Sequence, residues 1–312
     1  MTDDFGCMVG RGGSMAVGKG VLDDGIMAVA VKRIICGDES AVGVAEFLSE
    51  TTIVASVHHY ALVGLLGYLL YPFFENRSLD WWLFAGEERR RRLPWAARHH
   101  IAVDVARALA YLHHECKSHI LHLDIKPANI LLDGDFRAHV SDFGISMSIG
   151  RDLTSGHPGD MAPEMLVNAL SAMSDVYSYG MMLFELVGGR WNFVSATGGS
   201  SGSGSSSVEA PDFAKEFLPC VLQERMLEGG LMEVVDAAMA GGEAAAAVDE
   251  EEVKMVVKVA SWCMQHGRDM RPSMTEVVDM LEGRAPIPPP PVRAEFLGDT
   301  LLVSSTRTGL SL

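Results

Sequence analysis

The sequence predicts an α+β fold, with a small β-rich N-terminal part that carries one helix and a larger, mainly helical C-terminal part. From Val9 to Ile34 small, apolar and glycine residues alternate around Asp23-Asp24-Gly25, which indicates two strand-like runs with a turn between them. Apolar residues recur at helical spacing after Leu93. At 312 residues, the chain has enough length for a large core and one or two domains.

Composition limits the classes of partner and the cellular compartment. The chain has 25 Lys plus Arg against 41 Asp plus Glu, a net charge of -16, which disfavours nucleic acid and anionic membrane surfaces as partners. Its 5 cysteines form no C-x-x-C pair, which favours reduced thiols and a cytoplasmic location.

One stretch raises the question of a membrane span. Ile53 to Phe74 has no charged residue and is long enough to cross a bilayer. It also contains a His-His pair, two glycines and Pro72, and polar groups are costly in lipid. We therefore predict buried strands here and no transmembrane segment. The acidic start Met1–Asp4 lacks the features of a signal peptide.

The first strands carry a glycine-rich motif. Asp23-Asp24-Gly25 predicts the turn of a hairpin. Upstream, Gly10 to Val17 nearly matches G-x-G-x-x-G-x-V, a loop whose backbone N–H groups approach phosphate, although Met15 replaces the third glycine. Such a motif alone is also typical of an ordinary turn. Its position before an apolar strand that ends at Lys32 favours the phosphate interpretation, because a buried lysine needs an anion.

A helix should follow Lys32 and supply that anion. The predicted apolar stripe consists of Val44, Phe47, Leu48 and Thr51. Glu50 lies beside this stripe and is the expected partner of Lys32. The alternative is that Glu46 and Glu50 belong to a solvated helix face.

The next segment predicts two strands, Leu62 to Leu66 and Leu69 to Tyr71, with only Gly67-Tyr68 to turn between them. Phe73 to Leu79 is the expected connector to the helical part of the chain. A long helix should then begin at Leu93-Pro94-Trp95.

Two short motifs near mid-chain carry the chemistry. His122 to Asn129 contains Asp, Lys and Asn, and Ser141 to Gly144 contains Asp-Phe-Gly, with a strand-turn-strand between the motifs. These side chains suit a site for phosphate and metal. They resemble the kinase patterns H-R-D-L-x-x-x-N and D-F-G, with Leu123 in place of the Arg.

Later segments follow the same pattern. Ala162-Pro163-Glu164 matches the A-P-E that closes a kinase activation segment, and Ser174 to Val187 predicts a buried helix. Ser195 to Ser207 is nearly all Ser and Gly, which predicts a disordered surface insert. The acidic run 249–252 predicts a helix start, and Pro286 to Pro291 predicts the end of the fold.

Together these motifs resemble the cytoplasmic kinase domain of plant receptor-like serine/threonine kinases, of the non-RD type with a His-Leu-Asp loop. The resemblance implies the bilobal protein-kinase fold. It places an N-lobe at 1–74 with one regulatory helix and the hinge at its end. A C-lobe would follow at 75–284, and 285–312 would be a Pro-rich, disordered tail.

The resemblance also implies ATP and Mg²⁺ as cofactors and assigns residues to them. Asp124 would be the catalytic base, Lys126 would steady the γ-phosphate, and Lys32 paired with Glu50 would hold the α- and β-phosphates. Asn129 and Asp142 would hold Mg²⁺. The expected nucleotide contacts are Gly10, Gly12, Val17, Ala30, Lys32, Tyr71, Phe73, Phe74 and Leu131. Glu164 would pair with Arg271, and Asp175 would brace the catalytic loop.

The implied function is transfer of the ATP γ-phosphate to Ser or Thr of a protein substrate in receptor-like kinase signalling. A partner receptor kinase, at the inner face of the plasma membrane, is a further expected partner. The alternative is a catalytically impaired pseudokinase scaffold, because Met15, Gly18, the short turn near Tyr68 and the segment around His157 and Asp160 depart from the family pattern. Leu123 also predicts activity that does not depend on phosphate at Thr154 or Ser155.

Overall fold

The computed structural model describes residues 7–11, 15–22, 27–34, 41–67, 70–148, 170–193, 217–240 and 248–290. The described parts of Met1–Trp81 and His99–His157 form one compact unit. Those of Trp82–Arg98 and Pro158–Leu312 form a second. The lobe boundary at 74/75 and the tail from 285 stay predictions.

The first unit contains an antiparallel sheet of four strands among the described residues, in the order β1-β2-β3-β4. Their bounds are Met8–Arg11, Met15–Leu22, Met27–Ile34 and Leu70–Pro72. Val17 lies opposite Lys32 in the β2–β3 pair, and Ala30 lies opposite Tyr71 in the β3–β4 pair. The predicted hairpin of β2 and β3 is therefore confirmed, while its turn lies outside the described residues.

Helix α1 spans Ala41–Ser56, and its buried face differs from the predicted stripe. Phe47 is buried as expected, but Val44 and Leu48 are exposed. Glu50 is only 2% exposed, so the stripe was misplaced and a solvated face is wrong for Glu50. A hydrophobic pattern could not place a carboxylate inside, because its burial depends on an ion pair with a distant strand.

The predicted strand Leu62 to Leu66 is wrong. Leu62 makes an isolated parallel bridge with Val140, residues 63–66 form no ladder, and Gly67 then makes an isolated antiparallel bridge with Leu70. The Leu66 N–H donates to the Leu70 carbonyl oxygen, and the Leu70 N–H donates to that of Gly67. Apolar composition correctly indicates that Leu62 and Val63 are buried, but a strand also needs a neighbouring strand in register, and only the tertiary fold determines whether one is present.

The rest of the first unit builds the motif loops. Helix α4, Trp95–Ala110, has its first residues in the second unit, confirms the predicted long helix and continues as a π-helical turn, Tyr111–Glu115. Two small antiparallel pairs follow, β5 with β8 and β6 with β7, and the second confirms the predicted strand-turn-strand. Their bounds are Ile120–Leu121, Ile130–Leu132, Ala138–Val140 and Met147–Ser148.

The second unit is helical in its described part. The predicted buried helix is confirmed as α5, and the acidic run does start a helix, with the Asp249 carboxylate accepting from the Glu251 N–H. The helices are α2 Asp80–Leu83, which begins before this unit, α3 Glu87–Arg91, α5 Ala172–Gly188, α6 Leu218–Glu228, α7 Glu250–Cys263 and α8 Met274–Leu281.

A buried ion pair anchors this unit. Arg98 is completely buried, and its Nη2 lies 2.6 Å from Asp236 Oδ2. Two further guanidinium nitrogens donate to the carbonyl oxygens of Leu93 and Leu186. The guanidinium is thus surrounded by acceptors, as a buried charge requires.

Among the described residues, no helix combines the length and the apolar character that a membrane crossing needs. The cysteines in the described part of the chain are free thiols. The Ser/Gly insert 195–207, the A-P-E motif and the residues around His157 lie outside the described residues.

Candidate active site

The loop that carries Asp124 is fixed by a buried histidine. His122 is completely buried. Its Nε2–H donates to the Ser141 carbonyl oxygen, and its Nδ1 accepts from the Asp124 N–H. Leu123, between them, is buried with φ at 67°, a left-handed conformation that is unusual for leucine. The tertiary structure therefore imposes this loop conformation.

Asp124, Lys126 and Asn129 form one hydrogen-bonded group. Lys126 Nζ lies 2.9 Å from Asp124 Oδ1 and 2.8 Å from Oδ2. Asn129 Nδ2 donates both to Asp124 Oδ2 and to the Asp124 carbonyl oxygen, each at 2.8 Å. An acid, an ammonium group and an amide from one short loop are thus held together.

An ion pair between Lys32 of β3 and Glu50 of α1 connects the sheet to the helix. Lys32 Nζ lies 2.5 Å from Glu50 Oε1 and 3.9 Å from Asp142 Oδ1. Burial raises the pKa of Glu50 above its usual value, and the charge of Lys32 opposes that rise. The structure therefore brings together the lysine and glutamate that the sequence pairs, and places an acid of the Asp-Phe-Gly motif beside them.

Asp142 has a left-handed backbone and a side chain that is partly exposed to solvent. Its φ is 68°, and its side chain is 46% exposed, whereas the next residue, Phe143, is completely buried against His122 with ring centroids 4.9 Å apart. Ser141 precedes Asp142, and both its N–H and its hydroxyl donate to the Asn129 carbonyl oxygen at 2.9 Å. The two motif loops are therefore tied together at Asn129.

A cavity of about 460 Å³ adjoins these groups, entirely within the first unit. Its polar end is formed by Lys32, Glu50, Asn129 and Asp142. Asp124 and Lys126 do not line it. The remaining predicted nucleotide contacts that line the cavity are Gly10, Val17, Ala30, Tyr71, Phe73, Phe74 and Leu131. Gly12 lies outside the described residues.

Tyr71 closes the cavity beside Glu50. Its side chain is buried, and neither its hydroxyl nor Glu50 Oε2 has a hydrogen-bond partner among the described residues. Burial and the neighbouring Glu50 raise the pKa of the Tyr71 hydroxyl well above its usual value. The phenol therefore stays neutral.

Sequence reasoning missed two serines that connect the motifs. Ser141 ties the two loops as described, and the buried Ser146 donates to the His122 carbonyl oxygen at 2.9 Å. Both flank Asp-Phe-Gly, but a serine next to a motif is too common to indicate such a role. The expected pairing of Glu164 with Arg271 lies outside the described residues.

The fold and this arrangement of acids, lysines and asparagine define a class of phosphoryl-transfer protein. The chain belongs to the protein kinase family: the sequence model described as Protein kinase domain matches residues 5–281. The predicted α+β, bilobal protein-kinase fold and the predicted kinase function are thereby confirmed.

Similar proteins show which kind of protein kinase the chain resembles. The chain is 45% identical over 316 aligned residues to an Arabidopsis thaliana protein named as a "probable receptor-like protein kinase", with 93% of this chain and 66% of that protein covered. It is 39% identical to two G-type lectin S-receptor-like serine/threonine-protein kinases of the same plant, over 93% of this chain but only 34% and 33% of theirs. The chain thus spans about a third of the S-receptor-like relatives, and the predicted resemblance to receptor-like kinases is confirmed.

Proposed function

We propose that this chain is an ATP- and Mg²⁺-dependent serine/threonine protein kinase that transfers the γ-phosphate to Ser or Thr hydroxyls of a protein substrate. The observation that carries the proposal is the presence of two hydrogen-bonded charged clusters, whose motif loops Ser141 and Asn129 tie together. Asp124 is held by Lys126 and Asn129, while Lys32 and Glu50 meet beside Asp142. The names of the relatives support the choice of serine and threonine.

The cavity fits a nucleotide in size and chemistry. Its volume of about 460 Å³ falls within the range usual for small-molecule sites. Val17, Ala30 and Leu131 provide apolar surface for a purine ring, and Lys32 provides a cation for phosphates at the polar end. We assign the adenine to the apolar part and the phosphates to the end near Lys32.

The metal assignment follows from the ligand atoms. Mg²⁺ prefers oxygen ligands, and Asp142 supplies an exposed carboxylate. The Asn129 amide nitrogen donates to Asp124, which leaves the amide oxygen as its metal-binding atom. When bound, the ion would neutralise charge on the phosphates. Glu50 would keep Lys32 extended toward them.

Asp124 is assigned as the base because its carboxylate is ionisable, partly exposed and ordered by its neighbours. It would accept the proton of the acceptor hydroxyl, while Lys126, now against Asp124, would turn to the γ-phosphate. Catalysis of this kind depends on positioning and charge more than on covalent chemistry. The roles therefore need no residue beyond those in the two loops, β3 and α1.

The test is incubation of the purified chain with Mg²⁺, ATP and a mixture of unstructured proteins, followed by measurement of phosphoserine and phosphothreonine. Asp124→Asn is the matched control, since it preserves side-chain size and removes the base. Signal from the wild type alone supports the proposal. Equal signal from both chains, or none from either, would contradict it.

A pseudokinase scaffold is the second candidate, and its basis is the sequence departures at Met15, Gly18 and His157. Thermal denaturation with and without Mg²⁺ and ATP separates the two candidates. Stabilisation by nucleotide without phosphate transfer would favour the scaffold.

We also propose a partner receptor kinase and a cytoplasmic location, at the inner face of the plasma membrane. The names of the relatives support the receptor context, and the free thiols suit a reducing compartment. Co-purification of a membrane receptor kinase from plant tissue would test the partner.

A further inference from the structure

Ser146 stands where three parts of the site meet. It is buried, and its hydroxyl donates to the His122 carbonyl oxygen at 2.9 Å. Its N–H donates to the Phe143 carbonyl oxygen at 3.1 Å, and its own carbonyl oxygen accepts from the Ser49 hydroxyl at 3.3 Å. One serine thus contacts the Asp124 loop, the Asp-Phe-Gly loop and helix α1.

The bond to His122 acts on a strained peptide. The His122 carbonyl belongs to the peptide group whose rotation sets the φ of Leu123, and that φ is 67°. Left-handed backbone is unfavourable for a branched L-residue, so this peptide group tends to rotate away unless it is held. Rotation of this peptide group would move Asp124, which follows Leu123, away from Lys126 and Asn129.

The bond from Ser49 reaches the other charged group. Ser49 immediately precedes Glu50, which binds Lys32. The position of helix α1 is therefore linked through Ser146 to the peptide that orients Asp124. A shift of α1 would therefore displace both the Lys32–Glu50 pair and the Asp124 loop.

We propose that Ser146 is a positioning residue, whose hydroxyl holds the His122–Leu123 peptide and thereby sets the orientation of Asp124 relative to the Lys32–Glu50 pair. The inference rests on the proposed kinase function for its kinetic test. The restraint on the loop is a structural claim that a second measurement tests alone.

Ser146→Ala should lower kcat about tenfold, the rate equivalent of the upper end of the net range for one hydrogen bond, while KM for ATP stays unchanged. Ser146→Thr keeps the hydroxyl and should restore activity. The matched control is Ser178→Ala, which removes another buried hydroxyl that donates to a backbone carbonyl, within helix α5. Its kcat should equal that of the wild type.

A double-mutant cycle with Leu123→Gly distinguishes positioning from general destabilisation. Glycine adopts a left-handed φ without penalty, so the loop needs less restraint. In the Leu123→Gly background, Ser146→Ala should then lower kcat by less than about threefold, because the hydrogen bond mainly stabilises the left-handed conformation of Leu123, which glycine adopts unaided. An equal factor in both backgrounds, or a raised KM with unchanged kcat, would overturn the proposal.

Hydrogen exchange provides the readout that is independent of catalysis. In Ser146→Ala, amides of residues 122–126 should exchange faster than in Ser178→Ala, whereas those of residues 49–53 should not change, because the Ser49 hydroxyl donates to the Ser146 carbonyl oxygen, which alanine keeps. Unchanged exchange would overturn the positioning role even in an active kinase. Faster exchange in a chain that transfers no phosphate would support the restraint and contradict the proposed function alone.

Discussion

Replacement of Glu50 by glutamine should separate the pH dependence of stability from that of activity. Glu50 is almost completely buried, and burial raises the pKa of its carboxyl above the ordinary value of 4.5. A group whose pKa is raised on folding contributes stability that is fully present below the unfolded pKa. That contribution is lost as pH rises through the folded pKa. As pH rises above 4.5, the wild type should therefore lose stability relative to Glu50→Gln.

Glu50→Gln should lower activity, although it gains stability relative to the wild type as pH rises. Glu50→Gln replaces a charge-assisted hydrogen bond of 2.5 Å to Lys32 with a neutral one. A loss of about 2 kcal/mol, typical of hydrogen bonds to charged groups, corresponds to about a 30-fold fall in kcat/KM. In the wild type, protonation of Glu50 at acid pH should weaken the same contact, so activity should fall while this contribution to stability rises.

The assay is urea denaturation of both chains at a series of pH values from 4.5 upward to neutral pH, together with kcat/KM at each pH. The exposed Glu88 supplies the control, because Glu88→Gln removes one carboxylate without touching the site. Its curves should follow those of the wild type. Parallel stability curves for wild type and Glu50→Gln would refute the raised pKa.

Three further substitutions test the fold and its regulation. Asp236→Asn should destabilise the chain by about 3 kcal/mol, because it leaves the buried Arg98 without its countercharge; denaturation measures this. Gly180→Ala should cost about 1–3 kcal/mol, since a Cβ there would lie 2.8 Å from the Cys263 Cβ, whereas Gly86→Ala has open space and should be neutral. Because Leu123 replaces arginine, phosphatase treatment should leave turnover unchanged, and a large drop would contradict this reasoning.

The parts of the site that the sequence predicted well are those in which a charge adjoins an apolar strand. Lys32 lies near the end of β3, and Asp124 and Asp142 follow short strands, so motif and strand pattern together indicated where along the chain these charged groups lie. Order along the chain then indicated the family. The distances between these groups required the structure, because loop conformation is set by contacts distant in sequence.

The errors have a common physical origin. The strand at Leu62 to Leu66 and the exposed Val44 and Leu48 were misassigned because apolar character does not reveal which face or partner is available. The roles of Ser146 and Arg98 were not predictable, since each depends on backbone carbonyls brought near by tertiary folding. Polar burial is thus the property that local pattern predicts least.

The contacts of Asp124 imply an order of substrate addition under the proposed function. Both oxygens of its carboxylate already accept hydrogen bonds from Lys126, and one also accepts from Asn129. An incoming hydroxyl would compete with the ammonium group for access to the carboxylate, because Lys126 contacts both of its oxygens. Once nucleotide phosphate attracts Lys126, that competition ends, so the acceptor protein should bind productively only after ATP, as a sequential ordered mechanism.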